Sequence, residues 1–271
     1  MKSLPRHVAA SLAALALPRH VAASLAALAL AGALAGTSVA QDFSGPEFDA
    51  AVRSYIERNP QVLLDSINAH VAAQQQAERD AQDAAFLTMA DEFLQGENLP
   101  VAGNPDGSVT MVYVLDAACT YCRRMTPVIA ELIADNPELR IVQHWASFLT
   151  PASEYSARVV EIVRERYPDS YADFYHTLMM QTAALDIATV DRVIAQVIGE
   201  DALASIRLDN TGAEGARIAA AVAANVERLH RARIDGTPFF YVDGVGAEGI
   251  FRGAVPSNLI QAALDKAGAR E

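Results

Sequence analysis

The chain has 271 residues, of which 52% are hydrophobic, with a formal net charge of −12 and a pI near 4.9. The apolar content is enough for a hydrophobic core, and the acidic balance argues against nucleic acid as a partner. The length suits one large domain, or one domain with an added segment. We therefore interpret the acidity as a solubility feature.

Residues 1–40 have the pattern of a secretory signal. The segment LPRHVAASLAALA occurs twice in succession, and residues 21–40 follow Arg19 and His20 without a charge and end in the small residues TSVA. A basic flank, an apolar stretch and a small-residue cleavage site are typical of exported proteins. Cleavage is expected after Ala40, which leaves an exported chain of net charge −15. An uncleaved membrane anchor is the alternative.

Residues 41–95 are predicted to form an N-terminal helical segment. Ser44 as N-cap and Glu47 three residues later form a capping box. Asn59 before Pro60 predicts the cap and first residue of a second helix.

Two apolar groups at helical spacing flank an alanine-rich, polar middle in this segment. They consist of Leu64, Ile67 and Val71, and of Phe86, Met89 and Phe93. Such a helix does not make a core by itself. It is expected either to lie on its own domain or to join several copies of the chain, with the polar middle as a spacer.

Residues 96–271 are predicted to form an α/β domain. Two strands flank the turn NPDG, and the unbroken apolar run from Met111 to Leu115 indicates a strand buried on both faces. A helix from about Cys119 to Asp135 and a strand from Leu139 to Trp145 follow. A helical block at about 150–231 comes next. Two strands follow, in TPFFYVDG and GIFRGA, and a final helix begins at Pro256 and Ser257.

Cys119 and Cys122 are the only cysteines. Cys119 is predicted to lie at a strand–helix junction, where the free N–H groups and the helix dipole stabilise a thiolate. Arg123 and Arg124 would add positive charge if their side chains face it. Cys122, one turn later, would then act as a resolving thiol.

Other roles for the two cysteines have less support from the sequence. A c-type haem needs His after the second cysteine, where this chain has Arg123, and a structural zinc site needs about four ligands. A disulfide closing so short a loop would contribute only about 2 kcal/mol. Copper held by the two thiolates, alone or with Met125, stays open. No cofactor and no resident metal are expected.

The motif CTYC at such a junction, Pro127 in the following helix and GTPFFYVDG downstream resemble the thioredoxin superfamily, and within it DsbA-family proteins. The resemblance covers about residues 97–268. It implies a thioredoxin-like fold with a helical insertion between the third and fourth strands. It also implies a cis Thr237–Pro238 bond lying against the cysteines, and a substrate-binding surface made by Thr237, Pro238 and Tyr121.

The segment YIERNPQVLLDSI resembles the N-terminal segment of ScsC-like (suppressor of copper sensitivity) proteins, which mediates trimers in some members. Two departures from the wider family stand out. Relatives often carry a buried acid six residues before the first cysteine, where this chain has Tyr113, so proton transfer to the resolving thiol is expected to be slower or to rely on another group. Asp116 is expected to cap the helix. The Thr-Tyr dipeptide between the cysteines is nearer to DsbC-type isomerases than to DsbA.

The function expected from these features is that of a periplasmic thiol–disulfide oxidoreductase acting on proteins, with a leaning toward isomerase or reductase. Its partners would be protein substrates, a membrane redox partner and, by resemblance, two further copies of the chain. A DsbA-like oxidase and a non-catalytic copper- or thiol-binding protein are the alternatives.

Overall fold

The computed structural model describes residues 45–95 and 99–269. The expected signal at 1–40 and the expected cap Ser44 lie outside the described residues. Within the described ranges, none of the helices has both the length and the apolar character of a membrane span. The chain divides into two compact units, with the boundary between Asn68 and Ala69.

The first unit contains helix α1 (Pro46–Arg58) and the beginning of helix α2 (Pro60–Leu87). Gly45 is the N-cap of α1, and it offers no side-chain acceptor. As predicted, α2 begins at Pro60, with Asn59 in the position directly before it. The Asn59 amide Nδ2 donates to the carbonyl of Tyr55 at 2.9 Å, and the Asn59 backbone N–H donates to the same carbonyl, so Asn59 also closes the end of α1.

The second unit is built on a five-stranded sheet. Its strands are β1 (Val101–Gly103), β2 (Val109–Leu115), β3 (Leu139–Trp145), β4 (Phe239–Val242) and β5 (Ile250–Arg252). The spatial order is β1-β3-β2-β4-β5, in which β2 and β3 are parallel and the other neighbours are antiparallel. The predicted strand Leu139–Trp145 is confirmed, and β2 has the predicted central place.

Helices surround this sheet in the predicted order. They are α3 (Ala90–Leu94), α4 (Thr120–Asp135), α5 (Pro151–Arg166), α6 (Tyr171–Met179), α7 (Ile187–Val197), α8 (Glu200–Asp209), α9 (Gly212–Arg231) and α10 (Ser257–Gly268). Helices α5 to α9 form the predicted insertion between the third and fourth strands. The fold is therefore the predicted α/β, thioredoxin-like arrangement.

The sheet is buried on both faces. Successive side chains of a strand point to opposite faces, so each strand contributes to two cores. Met111, Tyr113 and Leu115 of β2 belong to the core shared with α4 and the insertion. Val112 and Val114 belong to a second core on the other face. All five side chains are fully buried, as the apolar run predicted.

The second core changes the interpretation of the N-terminal segment. Phe86 and Phe93 are fully buried there, and Met89 packs against the same cluster. The ring of Phe86 lies 4.9 Å from that of Phe239 in β4. The expectation that this apolar group helps to join copies of the chain is therefore wrong, because these side chains already cover the sheet.

The first apolar group has a different environment. Leu64, Ile67 and Val71 are each 42–51% exposed. Helix α1 contains no buried residue among those described. These three apolar side chains are therefore only partly covered.

Candidate functional site

Cys119 is the N-cap of α4, directly beyond the end of β2. Its backbone is extended (φ −73°, ψ 113°), and its Sγ accepts a hydrogen bond from the backbone N–H of Cys122 at 3.4 Å. Its own N–H donates to the carbonyl of Asp116 at 3.0 Å. The sulfur thus takes the place of the side-chain oxygen that usually caps a helix, among N–H groups that favour negative charge.

Both cysteines are free thiols, and they differ in access to solvent. Cys119 is 5% exposed, and Cys122, one turn into α4, is fully buried. Tyr121 between them is 55% exposed. Cys119 therefore keeps a small contact with solvent that Cys122 lacks.

The loop before β4 lies against Cys119. The Thr237–Pro238 bond is cis, as predicted, and the Cys119 Sγ lies 3.3 Å from the Thr237 carbonyl oxygen. The sheet explains this placement, because Phe239 of β4 pairs with Val114 of β2. The residues just before β4 and just after β2 therefore meet at one edge of the sheet.

The environment lowers the pKa of Cys119 to about 5. The largest cause is a hydrogen bond from the Cys122 thiol to the Cys119 sulfur; burial opposes it. The Thr237 side chain and the backbone N–H groups of Cys122 and Tyr121 lower the pKa further. At neutral pH the Cys119 sulfur is accordingly a thiolate, the nucleophilic form of cysteine.

The pKa of Cys122 moves in the opposite direction. Burial raises it most, and the hydrogen bond to Cys119 and the negative charge on that sulfur raise it further. Cys122 therefore keeps its proton while Cys119 is ionised. The two thiols have different chemical roles available to them, one as a nucleophile and one as a protonated neighbour.

The two arginines of the motif have other contacts, and neither is among the causes that lower the pKa of Cys119. Arg123 Nη1 donates to the carbonyls of Gln181 and Ala183, at 2.9 and 2.6 Å. The Arg124 guanidinium lies 5.3 Å from the centre of the Tyr121 ring. The charge expected beside the thiol is instead used to hold the loop between α6 and α7.

Asp116 does not cap α4, contrary to expectation. Its carboxylate accepts hydrogen bonds from the N–H groups of Ala118 at 2.8 Å and Phe148 at 3.1 Å. Burial raises its pKa, and the bonds that it accepts oppose this rise. Asp116 therefore ties the loop after β2 to the loop after β3, and the cap is Cys119 itself.

Three further hydroxyl side chains lie near the buried thiol. Tyr113 and Thr126 both donate to the carbonyl oxygen of Cys122, at 3.4 and 3.3 Å. Thr126 could have been found from its spacing of four residues, one helical turn, from Cys122. Tyr175 comes from the insertion, 53 residues after Cys122 in the sequence, and its approach to Thr126 has no local sequence signal.

In the described part of the chain, no group of three or more His, Cys, Asp or Glu side chains could hold a metal ion. His144 is buried between the carbonyl of Phe93, at 2.9 Å, and the side chain of Asn225. Burial lowers its pKa to about 4, so it is neutral at physiological pH.

A dithiol at a strand–helix junction, with a cis-proline loop beside it on a mixed five-stranded sheet, defines a thioredoxin-fold thiol–disulfide oxidoreductase. A family model described as thioredoxin matches residues 95–266. The chain belongs to this family. No match was found among curated proteins.

Three solved structures illustrate the likeness. Salmonella enterica Typhimurium BcfH is 22% identical, with a TM-score of 0.66, and the match covers 92% of this chain and 99% of that one. A linker-deleted variant of Proteus mirabilis ScsC is 20% identical (TM-score 0.61; 88% and 100% covered). A thioredoxin-like oxidoreductase from Silicibacter pomeroyi is 27% identical (TM-score 0.58; 66% and 97% covered). The first two matches extend the shared fold beyond the α/β domain.

Proposed function

We propose that this protein is a periplasmic thiol–disulfide oxidoreductase that acts on protein disulfides and works chiefly as an isomerase or reductase. The observation that carries the proposal is the contrast between the two thiols. Cys119 is a slightly exposed, capped thiolate, and Cys122 is a fully buried, protonated thiol within hydrogen-bonding distance. The likeness to thioredoxin-fold oxidoreductases supports the same chemistry.

The chemistry follows from this contrast. The Cys119 thiolate attacks one sulfur of a substrate disulfide, a mixed disulfide forms, and the other substrate sulfur leaves as a thiolate. Cys122 then attacks the Cys119 sulfur and releases the second substrate thiol, which leaves a Cys119–Cys122 disulfide. If a substrate thiol attacks the mixed disulfide first, the substrate is rearranged rather than reduced.

Thr237, Pro238 and Tyr121 would form the substrate surface. Thr237 and Pro238 border the Cys119 sulfur, and backbone groups of such a loop can pair with an extended peptide. The exposed Tyr121 ring offers an apolar contact beside the nucleophile.

The leaning toward isomerase or reductase rests on the Thr-Tyr dipeptide between the cysteines and Thr237 before the cis-proline, which resemble the isomerases, and on the N-terminal segment. A thiolate at Cys119 stabilises the reduced dithiol relative to the disulfide, which has no negative charge for the helix N-terminus to stabilise. An isomerase must be kept reduced, in this case by a membrane redox partner. A dithiol oxidase is the second candidate, because the same bias makes the disulfide form a ready oxidant.

The first unit supports an assembly of several chains. Its exposed apolar side chains, among them Leu64 and Ile67, would pack on the same surfaces of other copies, together with Val71 just beyond it. The P. mirabilis ScsC likeness extends through this segment. A trimer would place several Cys119 sulfurs around one substrate, which favours reshuffling over single exchange.

Substitution of the two cysteines tests the proposal. Cys119→Ser should abolish insulin reduction, because the nucleophile is lost. Cys122→Ser should accumulate mixed disulfides with substrate proteins, visible as thiol-sensitive adducts on non-reducing gels. A copper-binding protein without turnover would behave otherwise: wild type would leave insulin intact and neither variant would form adducts.

A further inference from the structure

The resolving step requires a fully buried thiol to lose its proton. Cys122 has no exposed surface, and burial together with the nearby Cys119 sulfur holds its pKa high. A bare thiolate in such a place would be costly, because burial of an unpaired charge is strongly unfavourable. The reaction therefore calls for a hydrogen-bond donor that can reach the Cys122 sulfur as its negative charge develops.

Asp116, the carboxylate nearest to Cys122 in the sequence, is occupied elsewhere. Its two oxygens accept from the N–H groups of Ala118 and Phe148. The backbone of Asp116 stabilises the Cys122 thiolate, but this contribution is smaller than the effect of burial.

Tyr113 is placed to provide the donor. Its side chain is fully buried, and its ring stacks on that of Phe240 with centroids 4.7 Å apart and planes 15° from parallel. The ring position is thereby fixed, and the hydroxyl reaches the Cys122 residue from the strand side. Burial raises the pKa of Tyr113 most, and negative charge on the Cys122 side chain and a hydrogen bond to it raise this pKa further, which marks the two side chains as neighbours.

The hydroxyl of Tyr113 is free to change acceptor. Its bond to the Cys122 carbonyl is long, at 3.4 Å. The same carbonyl also accepts from the Thr126 hydroxyl, at 3.3 Å, so it keeps a partner if Tyr113 turns away. The Tyr113 O–H can thus turn from the Cys122 carbonyl oxygen to the Cys122 sulfur as that sulfur ionises. The carbonyl oxygen stays bonded to Thr126, so no buried polar group is left without a partner.

We propose that Tyr113 is the positioning residue of the resolving step, whose hydroxyl turns from the Cys122 carbonyl to the Cys122 sulfur and stabilises the thiolate. This inference rests on the proposed function. Tyr113 donates a hydrogen bond and does not give up its proton. The Cys122 sulfur forms a bond to Cys119, the bond from Cys119 to the substrate breaks, and the proton lost by Cys122 is balanced by the one gained by the released substrate thiolate.

The other titratable groups around Cys122 have separate roles. Cys119 is the sulfur under attack, and it carries no negative charge once it is in the mixed disulfide. Tyr175 is buried and lies beside Thr126. The Thr237 side chain also lowers the pKa of Cys122, and among the described residues the buried Tyr175 hydroxyl has no hydrogen-bond partner. Tyr113 differs from both in having a ring held by stacking and a hydroxyl 3.4 Å from the Cys122 carbonyl oxygen.

The test separates the two chemical steps. Reduced wild type and Tyr113→Phe are mixed with oxidised glutathione, quenched with acid at successive times and analysed by mass spectrometry. Growth of the adduct with one glutathione reports attack by Cys119, and its decay to the internal disulfide reports resolution by Cys122. Tyr241→Phe is the matched control, since Tyr241 is also a buried strand tyrosine but faces the other core.

In Tyr113→Phe, the adduct should form at nearly the wild-type rate and decay about tenfold or more slowly, the scale of one hydrogen bond to a charged group. The pH midpoint of the decay should also move upward. A 3-fluorotyrosine at position 113, which is a stronger donor, should speed the decay and keeps the test valid if the Phe variant folds poorly. Unchanged decay, or equal slowing of both steps, would overturn the role of Tyr113. Absence of both the adduct and the internal disulfide in wild type would instead overturn the proposed function.

Discussion

At the residue scale, the site works through the difference between two identical side chains. Cys119 caps a helix and is stabilised as a thiolate, and Cys122 is one turn deeper and remains protonated. The sequence could predict this from CTYC and a strand–helix junction. It could not predict that the arginines point elsewhere, because the destination of Arg123 is a loop about 60 residues away in the chain.

The first prediction concerns the origin of the low pKa of Cys119. Alkylation of the reduced protein should speed up through a midpoint near pH 5, since the thiolate is the reactive form. In Cys122→Ala the midpoint should rise, because the largest stabilising hydrogen bond is lost. Cys122→Ser keeps an O–H donor and should stay closer to wild type. Equal midpoints in the Ala and Ser variants would contradict this origin.

The lowered pKa of Cys119 also makes the free energy of unfolding depend on pH. The pKa of Cys119 is lowered in the folded state, so its contribution is fully present above the unfolded value of 9.0 and is lost as the pH falls through about 5. Relative to Cys119→Ala, the reduced wild type should therefore gain free energy of unfolding as the pH rises between these values. Denaturant titrations at several pH values would measure it; a difference that does not vary with pH would contradict it.

At the element scale, two loops decide whether the site forms. The cis-proline loop is brought to Cys119 by the pairing of β4 with β2, and Asp116 joins the loop after β2 to the loop after β3. The motifs predicted the first loop through resemblance. The sequence did not predict the role of Asp116, because the residues around it are the same whether its carboxylate caps α4 or bonds to the backbone of Phe148.

Asp116→Ala should lower the free energy of unfolding by about 1–3 kcal/mol, because it leaves buried N–H donors unpaired. Asp116→Asn keeps an acceptor oxygen for one of them and should lose less. Urea unfolding of the reduced proteins would give both values. If the two variants are equally stable, the carboxylate does not tie the loops together.

At the scale of the whole molecule, the N-terminal segment has two parts with different roles. The end of α2 and the following helix α3 supply Phe86 and Phe93 to the core, whereas α1 and the start of α2 leave their apolar side chains exposed. The sequence showed both apolar groups but not which one is covered. Helical periodicity shows which face of a helix is apolar, but it does not show which other surface packs against that face.

Truncation should separate the two parts. A chain that starts at Ala69 should be a folded monomer that still reduces insulin but reshuffles scrambled disulfides poorly. A chain that starts after Gln95 should fold poorly, because Phe86 and Phe93 no longer cover the sheet. Light scattering and circular dichroism would check both. A mature full-length protein with the mass of one chain at micromolar concentration would exclude the oligomeric arm.

The central claim is that Cys119 and Cys122 form a reversible redox pair. The most direct measurement is an equilibrium titration of the protein against mixtures of reduced and oxidised glutathione, with the thiols trapped by acid and counted by mass. The account predicts one reversible two-electron transition within the range that glutathione buffers, since the Cys119 thiolate favours the reduced form. A pair that stays oxidised at every ratio, or that never forms an internal disulfide, would contradict it.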